Sequence, residues 1–259
     1  MNRIIIPQTA LRLWIGAALC VSIASSQDAR AIIEESQKRA RSTSQKYEGA
    51  LQVFDPSGKI TEKRWRSERA GASGNSKSIL RFTSPAEVKG VALLIVNHPD
   101  RASDQWMWTP NIGRDRRIAL QDRSTRFFGT DFSFEDLEER DVDQFTYKLL
   151  GEENIDGAPR WHIEARAKQT KASQYSAIGL WVRKDNYVTA QFEGQVKDKL
   201  ARRLKYQQIE NAQGVWTARL LDLTDVRRGG RTVLKIDKLQ YGVPVKDEDF
   251  TVIALRREP

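Results

Sequence analysis

Between residues 47 and 241 the chain keeps returning to one pattern: apolar residues on alternate positions, then a turn. Phe145, Tyr147 and Leu149 alternate, Asn154-Ile-Asp-Gly157 interrupts, and Trp161, Ile163 and Ala165 alternate again. Alternation sends successive side chains to opposite faces, so each run reads as a half-buried strand. The interruptions carry reversal residues, as in Asp55-Pro-Ser-Gly58, Pro110-Asn-Ile-Gly113 and Lys184-Asp-Asn186. Their spacing predicts about eleven strands. Neither an internal repeat nor a long linker divides them. The simplest architecture is mainly β, one antiparallel, strongly curved sheet or open barrel forming a single domain over 27–259. A helix is expected before it, with Asp28 as N-cap and Ile32, Ile33, Ser36 and Ala40 on one face. A last edge strand is expected over 251–255.

The first residues have a different logic. Arg3 and Arg12 precede an apolar run, 13–24, that ends in small residues. That run is shorter than the roughly 20 residues of a membrane span and reads as a secretory signal peptide, assigned to 1–26. The chain's one cysteine, Cys20, lies inside it after Leu19, where a lipid-attachment signal needs a small residue. An exported, unacylated domain without a disulfide is expected, stabilised by an ordinary core. The formal charge of +9 falls only to about +7 without the leader. Export argues against nucleic acid as the partner of that charge. The densest basic stretch contains Arg116, Arg117 and Arg126, which reads either as a solvated strand face or as contact with headgroups or an acidic partner.

Catalytic constellations are missing. His98 and His162 are the only histidines and lie far apart. The sequence has no HExxH, phosphate loop, Rossmann glycine pattern or GxSxG elbow. The acidic run from Glu135 to Asp143 fits neither a glycosidase pair nor a calcium loop and reads as a solvated face. No catalytic residue, metal or cofactor is therefore assigned, and the weight moves to binding.

One stretch breaks the β pattern: RFFGTDFSFEDLEERD, beginning at Arg126, which holds four phenylalanines. Ser133 and Asp136 form an S-x-x-D capping box, and Phe132 and Leu137 can form a hydrophobic staple. The spacing predicts a short helix whose apolar side is Phe128, Phe132, Phe134 and Leu137. An open barrel must cover its concave apolar face, so residues 127–137 are a candidate cover, with Gly129 as hinge. Ordinary packing is the alternative.

In order along the chain stand Phe82-x-x-Pro85 with Val88-Lys-Gly90, Trp106-Met-Trp-Thr-Pro110, Arg116-Arg-Ile118, Phe128-Gly-Thr-Asp-Phe132 with Glu135-Asp136, Leu149-Leu-Gly-Glu152, Trp161-x-Ile-Glu164, Leu180-Trp-Val182 with Lys184-Asp185, and Gly214-Val-Trp216. Each is weak alone. Their order resembles the LolA-like outer membrane lipoprotein-sorting proteins of the bacterial periplasm, over nearly all of the chain after the leader. The resemblance implies a half-open antiparallel barrel closed by short helices, around an apolar cavity that carries lipid or lipoprotein acyl chains. It implies a periplasmic carrier, taken as a monomer, whose partners are that cargo and an inner-membrane transporter or anionic membrane surface.

On that reading Leu93, Ile95, Trp106, Trp108, Leu180 and Val182 are strand candidates for the cavity wall. Phe127, Phe128, Phe132, Phe134 and Leu137 form its lid, and Arg116, Arg117 and Arg126 meet headgroups or a partner. The rivals are a lipid-sensing envelope-stress regulator that binds a partner protein, an enzyme acting on envelope lipid or glycan, and a structural envelope protein.

Overall fold

A computed structural model describes residues 18–72, 74–169 and 173–257, with side chains from Asp28 onward. The expected signal peptide lies largely outside these residues. Helix α1 (Ala18–Arg39) comes first. It begins upstream of Asp28, which is therefore inside the helix and not its cap, because the small and apolar residues 18–24 continue the helical run. Among the described residues no helix is long and apolar enough to cross a membrane.

Thirteen strands follow among the described residues, two more than the turn spacing predicts. They are β1 (Ser44–Phe54), β2 (Ile60–Ala72), β3 (Asn75–Ser84), β4 (Ala92–Val96), β5 (Asp104–Thr109) and β6 (Arg114–Arg117), then β7 (Phe145–Ile155), β8 (Ala158–Ala167), β9 (Ala177–Arg183), β10 (Thr189–Val196), β11 (Lys199–Ala212), β12 (Val215–Asp225) and β13 (Gly230–Tyr241). All belong to one antiparallel sheet in the order β6-β5-β4-β3-β2-β1-β13-β12-β11-β10-β9-β8-β7. The sheet is two meanders joined where β13 pairs with β1, and it does not close. Its free edges are β6 and β7, and the chain between them, residues 118–144, is the one with four phenylalanines.

Local sequence explains the ladders. In β13, Thr232, Leu234 and Ile236 are buried while Arg231, Lys235 and Asp237 face water, the alternation of a sheet with one wet side. The β7–β8 hairpin turns at Asp156 and Gly157, both with positive φ, as a tight two-residue reversal requires. At the β1–β13 bulge, Gly49 lies so close to its neighbour that a Cβ would sit 1.8 Å from the Lys235 carbonyl oxygen. Only glycine tolerates that approach.

Strand β4 is buried on both sides, which is why it reads as the unbroken run ALLIV. Leu93 and Ile95 join the main core on the concave face. Ala92 and Leu94 face the other way, against Phe250, Ala254 and Leu255 of the C-terminal segment. That segment is a bend followed by a 3₁₀ turn, Ala254–Arg256, and not the edge strand expected at 251–255. Its carbonyls are claimed by a side chain: Arg81 on β3 donates to Leu255 O at 2.7 Å and to Ala254 O at 3.0 Å. Burial pushes the Arg81 guanidinium down to about 10.

Candidate functional site

The segment joining the two sheet edges folds back on itself. Arg126 and Ser133 form an antiparallel bridge, and Phe127 N–H donates to Phe132 O at 2.8 Å. Phe128 and Gly129 both take positive φ at the bend, which Lys63 fastens by donating to Phe128 O at 2.7 Å. Phe127 stacks on Phe82 of β3 at 5.4 Å, and Phe134 meets Phe127 edge-on at 5.7 Å. Phe127, Phe132 and Phe134 are buried, while Phe128 and Leu137 are half-buried against the same core.

The capping box forms as expected. Ser133 N–H donates to Asp136 Oδ2 at 2.8 Å, and Asp136 N–H reaches Ser133 Oγ at 3.3 Å. The helix it should start does not follow: there is one 3₁₀ turn, Glu135–Leu137, and then extended backbone. Tertiary demands end it. Glu138 is drawn into the interior, where its carboxylate accepts from Gln105 Nε2 at 2.5 Å and lies 3.1 Å from Arg123 Nη1. Burial pushes that carboxyl up to about 7 despite the arginine. Asp136 in turn accepts from Tyr175 Oη at 2.6 Å and from Arg202 Nη1 at 2.9 Å.

Open space lies against α1. One cavity of about 350 Å³ is bounded by Tyr47, Tyr187, Tyr206, Trp216, Ile236 and Tyr241, among others. A second, of about 200 Å³, is bounded by Ile33, Phe145, Tyr147, Ile178, Leu180 and Phe192. Ser36, Thr189 and Tyr206 line both, so the two adjoin. The wall is predominantly aromatic and aliphatic, and three of its hydroxyls bond one another. Tyr47 Oη and Tyr241 Oη are 2.6 Å apart, and Thr217 Oγ1 is 2.5 Å from Tyr241 Oη. Desolvation, with Tyr241 adding to it, raises the Tyr47 hydroxyl far above its usual range, so it stays neutral. Trp216, 38% exposed, stands at the outer cavity. Helix α1 roofs this space: Ala29 and Ile33 pack into the core, Arg30 pairs with Asp143, Gln37 Nε2 donates to Arg140 O at 2.8 Å, and Arg39 lies over Tyr187.

Of the expected wall residues, Leu180 lines this space. Leu93, Ile95 and Val182 are on the same face but inside packed core. Trp106 and Trp108 are corrected by the register. They stand opposite Leu94 and Ala92 and pack with the C-terminal cluster on the convex side. The tyrosines, Phe145, Ile178 and Phe192 were absent from the expected wall; alternation marks their faces, but not which face borders empty space.

The expected basic contacts also separate. Arg116 and Arg117 are on edge strand β6, paired with Asp122 at 3.5 Å and Asp104 at 2.5 Å. Asp104 also accepts from Arg101, and its hydrogen bonds to Arg101, Arg117 and His98 hold its carboxyl far below the usual range. Arg126 lies elsewhere, on a cavity of about 620 Å³ shared with Arg202, Arg227 and Arg228. His98 is bound to Asp104 at 3.0 Å, while His162 stacks on Trp181 at 4.1 Å with Nδ1 2.9 Å from Glu153. Neither histidine lines the chamber. Among the described residues no group of three His, Cys, Asp or Glu side chains is placed to hold a metal ion.

Comparison with known proteins places this geometry. No functionally curated protein matches the chain by sequence. A family model described as "Uncharacterized protein" matches residues 74–257. A DUF1329 family protein from Desulfovibrio piger ATCC 29098 is 26% identical, with a TM-score of 0.85, covering 89% of this chain and 99% of its own. A domain described as an outer membrane lipoprotein-sorting protein from Vibrio parahaemolyticus is 22% identical, with a TM-score of 0.85, over 90% of this chain and all of its own. A LolA superfamily protein from Nitrosomonas europaea is 22% identical, with a TM-score of 0.70, over 87% of this chain and 98% of its own. The chain therefore belongs to the family that this model describes, the DUF1329 proteins, and has the open-sheet fold of the LolA-like lipoprotein-sorting proteins.

Proposed function

We propose that the protein is a non-enzymatic periplasmic carrier that holds lipid or lipoprotein acyl chains in the chamber under α1. Its leader, 1–26, is removed on export. The observation that carries this reading is an aromatic and aliphatic cavity on the covered face of an unclosed sheet, roofed by one helix. Burying each methylene contributes about 0.8 kcal/mol, so an acyl tail that displaces water there binds without polar contacts. The roof α1 moves to admit cargo, because elements that open for ligands come from the less stable part of a fold. The segment 127–137 packs into the core and lines neither cavity, so it acts as a fixed part of the scaffold. The cluster of Arg126, Arg227 and Arg228 beside the 620 Å³ cavity suits an anionic membrane or an acidic transporter surface.

The test is mass spectrometry of organic extracts from protein purified out of its own periplasm, alongside titration with the neutral fluorophore N-phenylnaphthylamine. Co-purifying acyl lipids and saturable probe binding are expected. A lipid-free protein that also fails to bind the probe would sink the carrier reading.

A further inference from the structure

Arg140 is the one side chain in the chamber whose chemistry the apolar wall does not explain. Its backbone oxygen receives Gln37 from the roof helix, and its guanidinium lies over the Phe192 ring at 4.8 Å. Arg140 lines both the 200 Å³ cavity and a cavity of about 270 Å³ that Glu135, Glu138, Gln144 and Ser173 also bound. Nε and Nη2 are sealed from solvent and have no hydrogen-bond acceptor, although the side chain as a whole is 28% exposed.

Other buried arginines also have an unused nitrogen, but each keeps a bond elsewhere. Arg123 reaches Glu138, Arg160 reaches Ile155 O, and Arg219 reaches Glu210. Arg140 alone among these four makes no side-chain hydrogen bond within the described residues. The carboxylates around it are already engaged. Asp136 Oδ1 lies 3.8 Å from Nη2, beyond hydrogen-bonding reach, and accepts from Tyr175 instead. Asp136 Oδ2 serves Ser133 and Arg202, while Glu135 serves Ser173 and the Gln174 N–H. Burial disfavours the charge on Arg140, but Glu135 and Asp136 outweigh it and keep the group cationic.

A desolvated guanidinium without an acceptor is costly, and such a group in a native fold calls for a partner. Nε and Nη2 present their hydrogens along one edge, the fork that a carboxylate or phosphate fills with two parallel bonds. A tail in the apolar cavity would end beside this edge, with a small shift of the side chain into the space that it lines. We propose that Arg140 anchors the oxyanion head, carboxylate or phosphate monoester, of a single-chain amphiphile whose tail occupies the cavity under α1. This rests on the carrier reading and narrows its cargo to anionic amphiphiles. A lipoprotein's acylated cysteine, whose head carries no oxyanion, gains nothing from Arg140.

The experiment displaces N-phenylnaphthylamine from the purified protein with laurate, lauryl phosphate or dodecanol, three competitors with the same tail. Laurate or lauryl phosphate should compete at about ten- to a hundredfold lower concentration than dodecanol, the range expected for hydrogen bonds to a charged group. The better of the two identifies the head. In Arg140→Gln that advantage, read against dodecanol in the same variant, should vanish, and Arg140→Lys, which keeps charge without the fork, should restore it only partly. Equal competition by all three in the unaltered protein overturns the proposal whether or not the variants fold, as does an advantage that survives Arg140→Gln. Absence of probe binding instead sinks the carrier reading, and this inference with it.

Discussion

Asp131 and Thr232 stand 101 positions apart and are joined twice: Asp131 N–H donates to Thr232 Oγ1 at 2.9 Å, and that hydroxyl donates to Asp131 Oδ2 at 2.8 Å. Thr232 is fully buried on β13, at the centre of the sheet. The pair ties the segment that spans the open edges to the strand that joins the two meanders. Replacing Thr232 with Val keeps the shape and removes both bonds. About 1–3 kcal/mol of stability should be lost, because the Asp131 N–H and carboxylate remain buried without their partner. Urea denaturation measures this. A variant as stable as the parent would show that water takes the hydroxyl's place.

Phe127 and Phe134 behave as core on this structure. Either one changed to Ala should cost about 3–5 kcal/mol, the range for buried aromatics. Phe128, half-buried at the bend, should cost less. Melting curves for the three variants rank them. A Phe134 variant that loses probe affinity with little loss of stability would restore the segment 127–137 as a movable lid.

Glu138 should make stability pH-dependent. Its folded value of about 7 stands above an ordinary value of 4.5. Between these the folded state keeps a proton that the unfolded chain has released, so the group's contribution is complete below about pH 4.5 and is lost as pH rises through about 7. The change amounts to about 3 kcal/mol at most. Glu138→Gln, which mimics the protonated form, should gain stability relative to the parent between pH 5 and pH 8. Parallel stability–pH curves for the two proteins would reject the assignment.

Leu180 reports on the chamber alone. Leu180→Trp fills the inner cavity and should weaken N-phenylnaphthylamine binding about tenfold or more, while stability changes by no more than about 1–3 kcal/mol. Fluorescence titration and thermal melting on one sample separate the effects. Unchanged affinity would place the probe elsewhere.

His98 and His162 make structural contacts, to Asp104 and to Trp181. Alanine at either should leave probe binding unaltered. A deletion strain complemented with each variant should behave as the parent does at equal protein level; loss of function there would favour an enzyme.

Most of the strands, the hairpin turns, the mainly β class and the capping box at Ser133 were legible in the sequence, because each depends on neighbours a few residues away. Alternation and turn chemistry act over that range. The tertiary structure alone decided the rest. Glu138 is pulled into the core by Arg123 and Gln105, so the capped turn at Glu135–Leu137 never becomes a helix. Trp106 and Trp108 obey strand alternation, but which side of β5 faces the chamber depends on the C-terminal cluster of Phe250 and Leu255 that covers the other side. Arg140 carries no signal in the sequence: its isolation arises because Tyr175 and Arg202, distant in the chain, take the Asp136 carboxylate first. Local order follows from short-range sterics and hydrogen bonding, whereas the partner of a buried charge is settled by whichever distant group the folded sheet brings nearest.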